Sequence, residues 1–271
     1  MTYFELLKEV ERLLENDNAA FEAKQIVLTA ANTDNTGFMK LRQQNVEKEV
    51  IEKCFEFVKK RNEGLPIYYV LGVCEFYSYE FFVGKGVLVP RDDTEILVDT
   101  ALDAIKNIKN PKVLDLCSGS GAIAVAIAKC RKDAQVDAVE LYDDAFRYLE
   151  KNIKHNNADN VNAIKADALE FKGEYDLVVS NPPYIAINEK QYLSKEVLNE
   201  PHTALFAEND GLLFYEKIAE NFKINKKFTL AFEIGYTMSE RVFSILQNNG
   251  YSDISMIKDL NGIIRVIKAE K

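Results

Sequence analysis

The chain has 271 residues, of which 47% are hydrophobic and 28% charged, and its net charge is −9. That length favours one large or two modest domains with a sizeable core, and the acidic balance argues against a protein that grips nucleic acid through many phosphates. The four cysteines (Cys54, Cys74, Cys117, Cys130) form no CxxC pair, and the two histidines (His155, His202) lie at no metal-ligand spacing from them, so free thiols and no metal are expected. No apolar run approaches the ~20 residues of a membrane span. The amphipathic, acidic start MTYFELLKEVERLL is unlike a signal peptide, so a cytoplasmic protein with no membrane association is expected.

Residues 1–72 read as a helical bundle. Thr2 and Glu5 form a T-x-x-E capping box ahead of Leu6, Leu7, Val10 and Leu13 at helical spacing. A second helix is expected over Ala19–Ala31, a helical turn after Gly37, and a longer helix capped by Asn45 that ends near Gly64 and Pro66. Residues 73–90 change to aromatic and β-branched runs around Gly84-Lys85-Gly86, which suggests a β-hairpin linking two domains. Asp92, Asp93 and Thr94 supply helix-start residues for Glu95–Ile108. From residue 111 onward, within a domain expected over 91–271, strand and helix alternate. Strands are expected over Lys112–Leu116, Val136–Leu141, Val161–Lys165, Tyr175–Ser180 and Phe228–Ile234. Helices are expected near 121–130, 143–156, 211–224 and 238–249. Two late strands, near Asp253–Lys258 and Ile263–Lys268, flank the hairpin signal Asn261-Gly262. Such βα alternation implies a doubly wound α/β sheet with ligands at the strand C-terminal ends and an antiparallel edge from the closing hairpin.

Four strand tips carry the chemistry. In KVLDLCSGSGAIAVAIA a strand ends at Asp115, and the loop Cys117-Ser118-Gly119-Ser120-Gly121 opens a small-residue helix whose free N–H groups face a ligand. Glu140 ends the next strand, where a carboxylate accepts hydrogen bonds from ribose hydroxyls. The full dinucleotide spacing is absent, because position 117 is Cys and position 124 is Ala. Asp167 and Ala168 follow the third strand and are placed to flank an adenine. After the fourth strand comes Ser180-Asn181-Pro182-Pro183-Tyr184, and two prolines end any ladder there. The Asn181 side-chain oxygen and the carbonyl freed at Pro182 are two acceptors converging on one spot, which suits an NH2 group. Pro183 and Tyr184 add flat apolar surface for a planar partner.

Taken with the glycine loop and the acidic strand tip, Asn-Pro-Pro-Tyr resembles an S-adenosylmethionine-dependent amino methyltransferase. VLVPRDDTEILVD (87–99), NEPHTALFAENDGLLFY (199–215), FEIGYT (232–237) and KDLNGIIRVI (258–267) are similar to the peptide chain release factor glutamine methyltransferases, the HemK/PrmC family. The resemblance runs from about residue 64 to 268. It implies a seven-stranded, Rossmann-like class I methyltransferase sheet behind a small N-terminal helical substrate-docking domain. It also implies S-adenosylmethionine as cofactor, S-adenosylhomocysteine as product, and a bacterial release factor as protein substrate, methylated on the glutamine of its Gly-Gly-Gln loop. Carried over, Asp115, Cys117–Gly121, Glu140, Asp167, Ala168 and Asn181 bind the cofactor. Asn181 and Pro182 hold the amide and catalyse, on a platform of Pro183 and Tyr184. Three positions depart from the family's pattern: Cys117 replaces a glycine, Glu140 stands where Asp is common, and Met238 stands where Gln is frequent.

Two other substrates use the same core. A glutamine of a ribosomal protein would be held identically. A DNA adenine also presents a planar NH2, but its enzyme must flip the base and normally brings basic surface and a target-recognition region, neither of which is visible. A monomer without direct nucleic-acid contact is expected. A non-catalytic binding protein would be expected to lose the motif residues, and all are present. The loop from Ile185 to Gly211 and the N-terminal bundle are where partner selectivity is expected to reside.

Overall fold

Thr2 begins the first helix as its sequence requires. Its Oγ1 accepts from the Glu5 N–H at 3.3 Å, while the Glu5 carboxylate accepts from the Thr2 N–H at 2.8 Å. The computed structural model describes residues 1–223 and 227–271 and divides into two compact units. One comprises Met1–Val73 with Ser194–Asn199, and the other Cys74–Leu193 with Glu200–Lys271.

The smaller unit holds helices Tyr3–Leu13, Ala19–Ala30, Asn35–Leu41, Lys48–Asn62 and Ile67–Leu71. Leu6, Val10, Ala23, Ile26, Val27 and Cys54 are fully buried in a shared core. Asn45 does not cap the fourth helix. The Tyr3 N–H donates to the Gln44 carbonyl and the Val46 N–H to the Met1 carbonyl, so this stretch pairs with the N-terminus as a bridge between Thr2 and Asn45. That pairing keeps the backbone extended and moves the helix start to Lys48. Buried Glu22 takes a two-pronged bond from Arg61, Nε to Oε2 at 2.7 Å and the second guanidinium nitrogen to Oε1 at 2.9 Å. Arg61 also bonds Glu196 at 3.0 Å, and the Asn199 amide donates to the Gly64 carbonyl at 2.8 Å. These bonds explain why a six-residue piece of the long loop belongs to the helical unit.

The larger unit begins with a hairpin, β1 (Val73–Phe76) and β2 (Tyr79–Phe82). Its turn falls at Tyr77-Ser78, with φ of 52° and 63°, rather than at the expected Gly84-Lys85-Gly86. Two consecutive left-handed residues make the tight turn whose twist suits paired strands. Asn152 anchors the hairpin: its Oδ1 accepts from the Phe82 N–H at 2.7 Å and its Nδ2 donates to the Phe82 carbonyl and to the Ser120 carbonyl.

Next come β3 (Lys112–Leu116), β4 (Gln135–Glu140), β5 (Val161–Lys165), β6 (Leu177–Ser180), the short β7 (Ile185–Ala186) and β8 (Phe206–Ala207), then β9 (Thr229–Glu233), β10 (Ser252–Lys258) and β11 (Ile264–Glu270). Seven of them form one sheet in the order β10-β11-β9-β6-β3-β4-β5, with β11 antiparallel to both neighbours and the other pairs parallel. This is the expected seven-stranded methyltransferase sheet. β3 pairs with β4 on one side and with β6 on the other, so the strand order reverses at β3 and opens a crevice beyond its C-terminal end. Both faces are covered. Leu114, Val178, Leu230 and Phe232 pack with Tyr215, Ile218 and Phe222 of the helix Leu213–Phe222 and with Val242 and Leu246 of the helix Ser239–Asn248. Each such buried side chain contributes about 1.5–3 kcal/mol.

The helix expected over 211–224 starts at Leu213, and its expected last residue, Ile224, lies outside the described residues. Asn209, Asp210 and Gly211 have φ of 52°, 52° and 84°, which stops helix formation before Leu213.

Candidate active site

The glycine loop Cys117–Gly121 leaves β3 and turns into the helix Ala122–Cys130, and Glu140 ends β4 beside it. The Gly119 N–H donates to Glu140 Oε2 at 2.9 Å, and the Leu141 and Tyr142 N–H groups donate to Oε1, both at 2.9 Å. Burial pushes the Glu140 carboxyl up, and these three donors oppose that shift by favouring the anion. A carboxylate fixed this way has about one acceptor site left, on Oε2, for a further donor such as a ribose hydroxyl. Asp167 lies just past β5, and its Oδ1 accepts from the Leu169 N–H at 2.9 Å.

The tip of β6 is tied to β3 by the Ser180 hydroxyl, which donates to the Leu116 carbonyl at 2.6 Å. Asn181 therefore stands at a fixed height above the crevice. Its Nδ2 donates to Thr94 Oγ1 at 3.2 Å. Thr94 precedes the helix Glu95–Ala104, yet its hydroxyl makes no capping bond to that helix.

A cleft with about 1090 Å3 of empty space, open solvent at its mouth included, opens here. Its wall brings together Cys117, Ser118, Gly119, Ser120, Glu140, Asp167, Ala168, Asn181 and Pro183. Four expected residues lie off the wall. Asp115 is wholly buried beneath the loop with both carboxyl oxygens unpartnered, and burial pushes it up to about 7. Gly121 has φ of 82° and faces the Leu149 side chain, where a Cβ would sit 2.6 Å from Leu149 Cδ1, so helix packing demands this glycine. Pro182 lies between wall residues Asn181 and Pro183. Tyr184 is packed against the sheet core, and burial raises its hydroxyl to about 12.

Sequence reasoning gave no place in the site to Gly86, Val87, Arg91, Thr94, Tyr142 and Phe214, which also line the cleft. The available signal was VLVPRDDTEILVD and NEPHTALFAENDGLLFY, and the fold joins the two. Buried Glu200 accepts from the Val89 N–H at 3.1 Å and pairs with the Arg91 guanidinium.

Residues 92–233 match the family described as Methyltransferase small domain, and residues 5–72 match PrmC N-terminal domain. A release factor glutamine methyltransferase of Clostridium botulinum is 41% identical, covering 84% of this chain and 83% of its own length. One from Fusobacterium nucleatum is 36% identical, covering 97% of this chain and 77% of its own length.

The chain belongs to the release factor glutamine methyltransferase family.

The fold has wider relatives. The hMettl16 catalytic domain, solved with a MAT2A 3'UTR hairpin, superposes with a TM-score of 0.58 at 17% identity, over 70% of this chain and 75% of that one. That likeness concerns the class I methyltransferase fold alone. Besides Glu140, the structure locates the other two departures of this methyltransferase from the family's pattern. Cys117 holds a left-handed φ of 61° at the position where a glycine is usual. Met238 is buried, and its Sδ lies 3.0 Å from the Cβ that a side chain at Gly235 would carry.

Proposed function

We propose that the protein transfers a methyl group from S-adenosylmethionine to the side-chain amide nitrogen of the glutamine in the Gly-Gly-Gln loop of peptide chain release factors. The observation that carries the reading is Asn181, locked at the tip of β6 with its amide on the cleft wall and followed by two prolines. The names of the 41% and 36% identical relatives point to the same substrate.

The cleft fits the cofactor. Glu140, held by three backbone donors, would take a ribose hydroxyl, the Asp167-Ala168 edge would border the adenine, and the polar loop Cys117–Ser120 would face the methionine portion. S-adenosylmethionine supplies, when bound, a methyl group activated on a sulfonium and leaves as S-adenosylhomocysteine.

The chain's own residues orient the acceptor. An amide nitrogen is a poor nucleophile because its lone pair is delocalised into the carbonyl. Asn181 Oδ1 and the Pro182 carbonyl each accept a hydrogen from the NH2, which pushes density onto nitrogen and fixes its direction. Pro183 on the cleft wall supplies a flat apolar neighbour. No side-chain base is required, because the methylated nitrogen is acidic and loses its proton to water. Orientation of this kind contributes about 7–11 kcal/mol to rate.

We assign partner recognition to the helical unit together with the segment Ser194–Asn199 that packs into it. We further place the protein in the cytoplasm, as a monomer without direct nucleic-acid contact. A net charge of −9 supports this, as does the absence, among the described residues, of a helix long and apolar enough to cross a membrane.

The test is transfer of labelled methyl to purified release factor, beside its Gln→Ala loop variant, a ribosomal protein fraction and duplex DNA. Label that disappears with the loop glutamine is the expected result, and label only on ribosomal protein or only on DNA would overturn the substrate. Asn181→Ala is expected to lower transfer roughly 100- to 1,000-fold while cofactor affinity falls only modestly. Equal loss of both would contradict the role given to Asn181.

A further inference from the structure

Three segments without a role in the chemistry above meet behind Asn181. Arg265 of β11 bonds Asp93 at 2.9 Å and Asp259 at 3.0 Å. Its neighbour Val266 is in register with Glu233 of β9. This holds Thr94, next to Asp93, against the end of β9. Thr94 and Glu233 are 4% and 5% exposed, so neither has water as an alternative partner. The Thr94 hydroxyl receives the Asn181 Nδ2 hydrogen at 3.2 Å. Ser180 and Phe232 are in register across β6 and β9, so Asn181 and Glu233 follow them at neighbouring strand ends, and Glu233 Oε2 is buried there without a hydrogen-bond partner.

We propose that Thr94 and Glu233 are positioning residues for methyl transfer: they hold the nitrogen end of the Asn181 amide, and so turn its oxygen end toward the NH2 of the substrate. This rests on the reading that Asn181 receives the glutamine amide. The two ends of an asparagine amide have nearly the same size, so packing alone does not select between them. Hydrogen-bond polarity does. A hydroxyl both donates and accepts and therefore tolerates either end, whereas Glu233 in its ionised form only accepts. Glu233 thus makes the choice and Thr94 transmits it. A flipped amide would set Oδ1 against a buried carboxylate and point two N–H donors at a substrate that also presents donors.

The pair predicts a pattern that a plain structural role would not produce. Thr94→Val removes the acceptor at constant shape, and kcat should fall roughly 10- to 100-fold. Affinity for S-adenosylmethionine and KM for the release factor should stay within about twofold, since orientation rather than binding is lost. Thr94→Ser, which restores the hydroxyl, should recover most of the rate. Glu233→Gln should lower kcat as well, because a carboxamide accepts either end of Asn181. In an Asn181→Ala background, Thr94→Val should cost nothing further.

Four results would overturn the assignment. They are an unimpaired Thr94→Val, failure of Thr94→Ser to recover, loss of cofactor affinity equal to the loss of rate, or an undiminished Thr94→Val effect without Asn181. If Glu233→Gln does not fold, the Thr94 pair decides alone. Wild-type protein that leaves the loop glutamine unlabelled would overturn both this assignment and the functional reading. Normal wild-type transfer with an indifferent Thr94→Val would sink only the assignment.

Discussion

Cys117 has a φ of 61° in the loop that faces the cleft, a conformation that residues with a Cβ adopt at a cost of about 1–3 kcal/mol. Its side chain is partly repaid by packing against the sheet core, and burial raises the thiol well above its usual range, so it is a neutral thiol there. Cys117→Gly is expected to raise the free energy of unfolding by about 1 kcal/mol, net of the extra freedom that glycine gives the unfolded chain. Urea unfolding measures this, and a destabilised variant would mean that thiol packing outweighs backbone strain. The place of Asn181 at a strand tip was legible from its neighbours alone, since two prolines end the ladder there, and the structure sets it on the cleft wall. Thr94 was legible only as a helix-start residue. It does stand at a helix start, but its hydroxyl goes to a side chain 87 positions away in sequence.

Between Tyr184 and the helix Leu213–Phe222, the chain builds the short parallel pair β7 and β8, Ile185 opposite Phe206 and Ala186 opposite Ala207. Gly211 closes this excursion with φ of 84°, and a Cβ there would run into the Tyr184 carbonyl oxygen. Gly211→Ala therefore has neither the φ nor the room. It should destabilise the protein by roughly 2 kcal/mol and, by displacing the backbone beside Pro183, lower methyl transfer more than cofactor binding. Thermal unfolding together with paired transfer and binding assays would check both parts, and a variant with unchanged transfer would detach this contact from the substrate side of the cleft. The sequence marked 185–211 as a long polar loop. It did not reveal the division of that loop, because the Arg61–Glu196 and Asn199–Gly64 bonds that draw Ser194–Asn199 into the helical unit join residues more than a hundred positions apart.

Two wholly or nearly buried carboxyls, Asp115 and Glu233, give the molecule as a whole a pH signature. Burial raises each to about 7. Glu140 and Cys117 lie near Asp115, while Asp93, Arg265 and Tyr184 surround Glu233. With the folded-state value above the unfolded one, their contribution to stability is present in full below about pH 4 and is lost as pH rises through 7. Asp115→Asn removes one of these losses. Its stability relative to wild type is expected to improve between pH 5 and 8 by an amount on the order of a few kcal/mol, measured by denaturant unfolding at each pH. A difference that stays flat across that range would show that Asp115 is paired in solution.

The sequence by itself determined the alternation of strands and helices, the crevice-facing loops and the place of Asn181 at a strand tip. These follow from local causes: hydrophobic period, glycine and proline geometry, and the chemistry of residues adjacent in the chain. Tertiary structure alone decided that the hairpin turns at Tyr77-Ser78, that Asn45 pairs instead of capping, that Asp115 is buried beneath the cleft, and that Gly121 faces Leu149 rather than the cleft wall. It also decided that Thr94, Glu233 and Asn181 meet. Each of these outcomes depends on a competition between a local preference and a partner supplied from a distant segment. A hydrogen bond or close contact of that kind acquires its energy only once the sheet has brought the segments together.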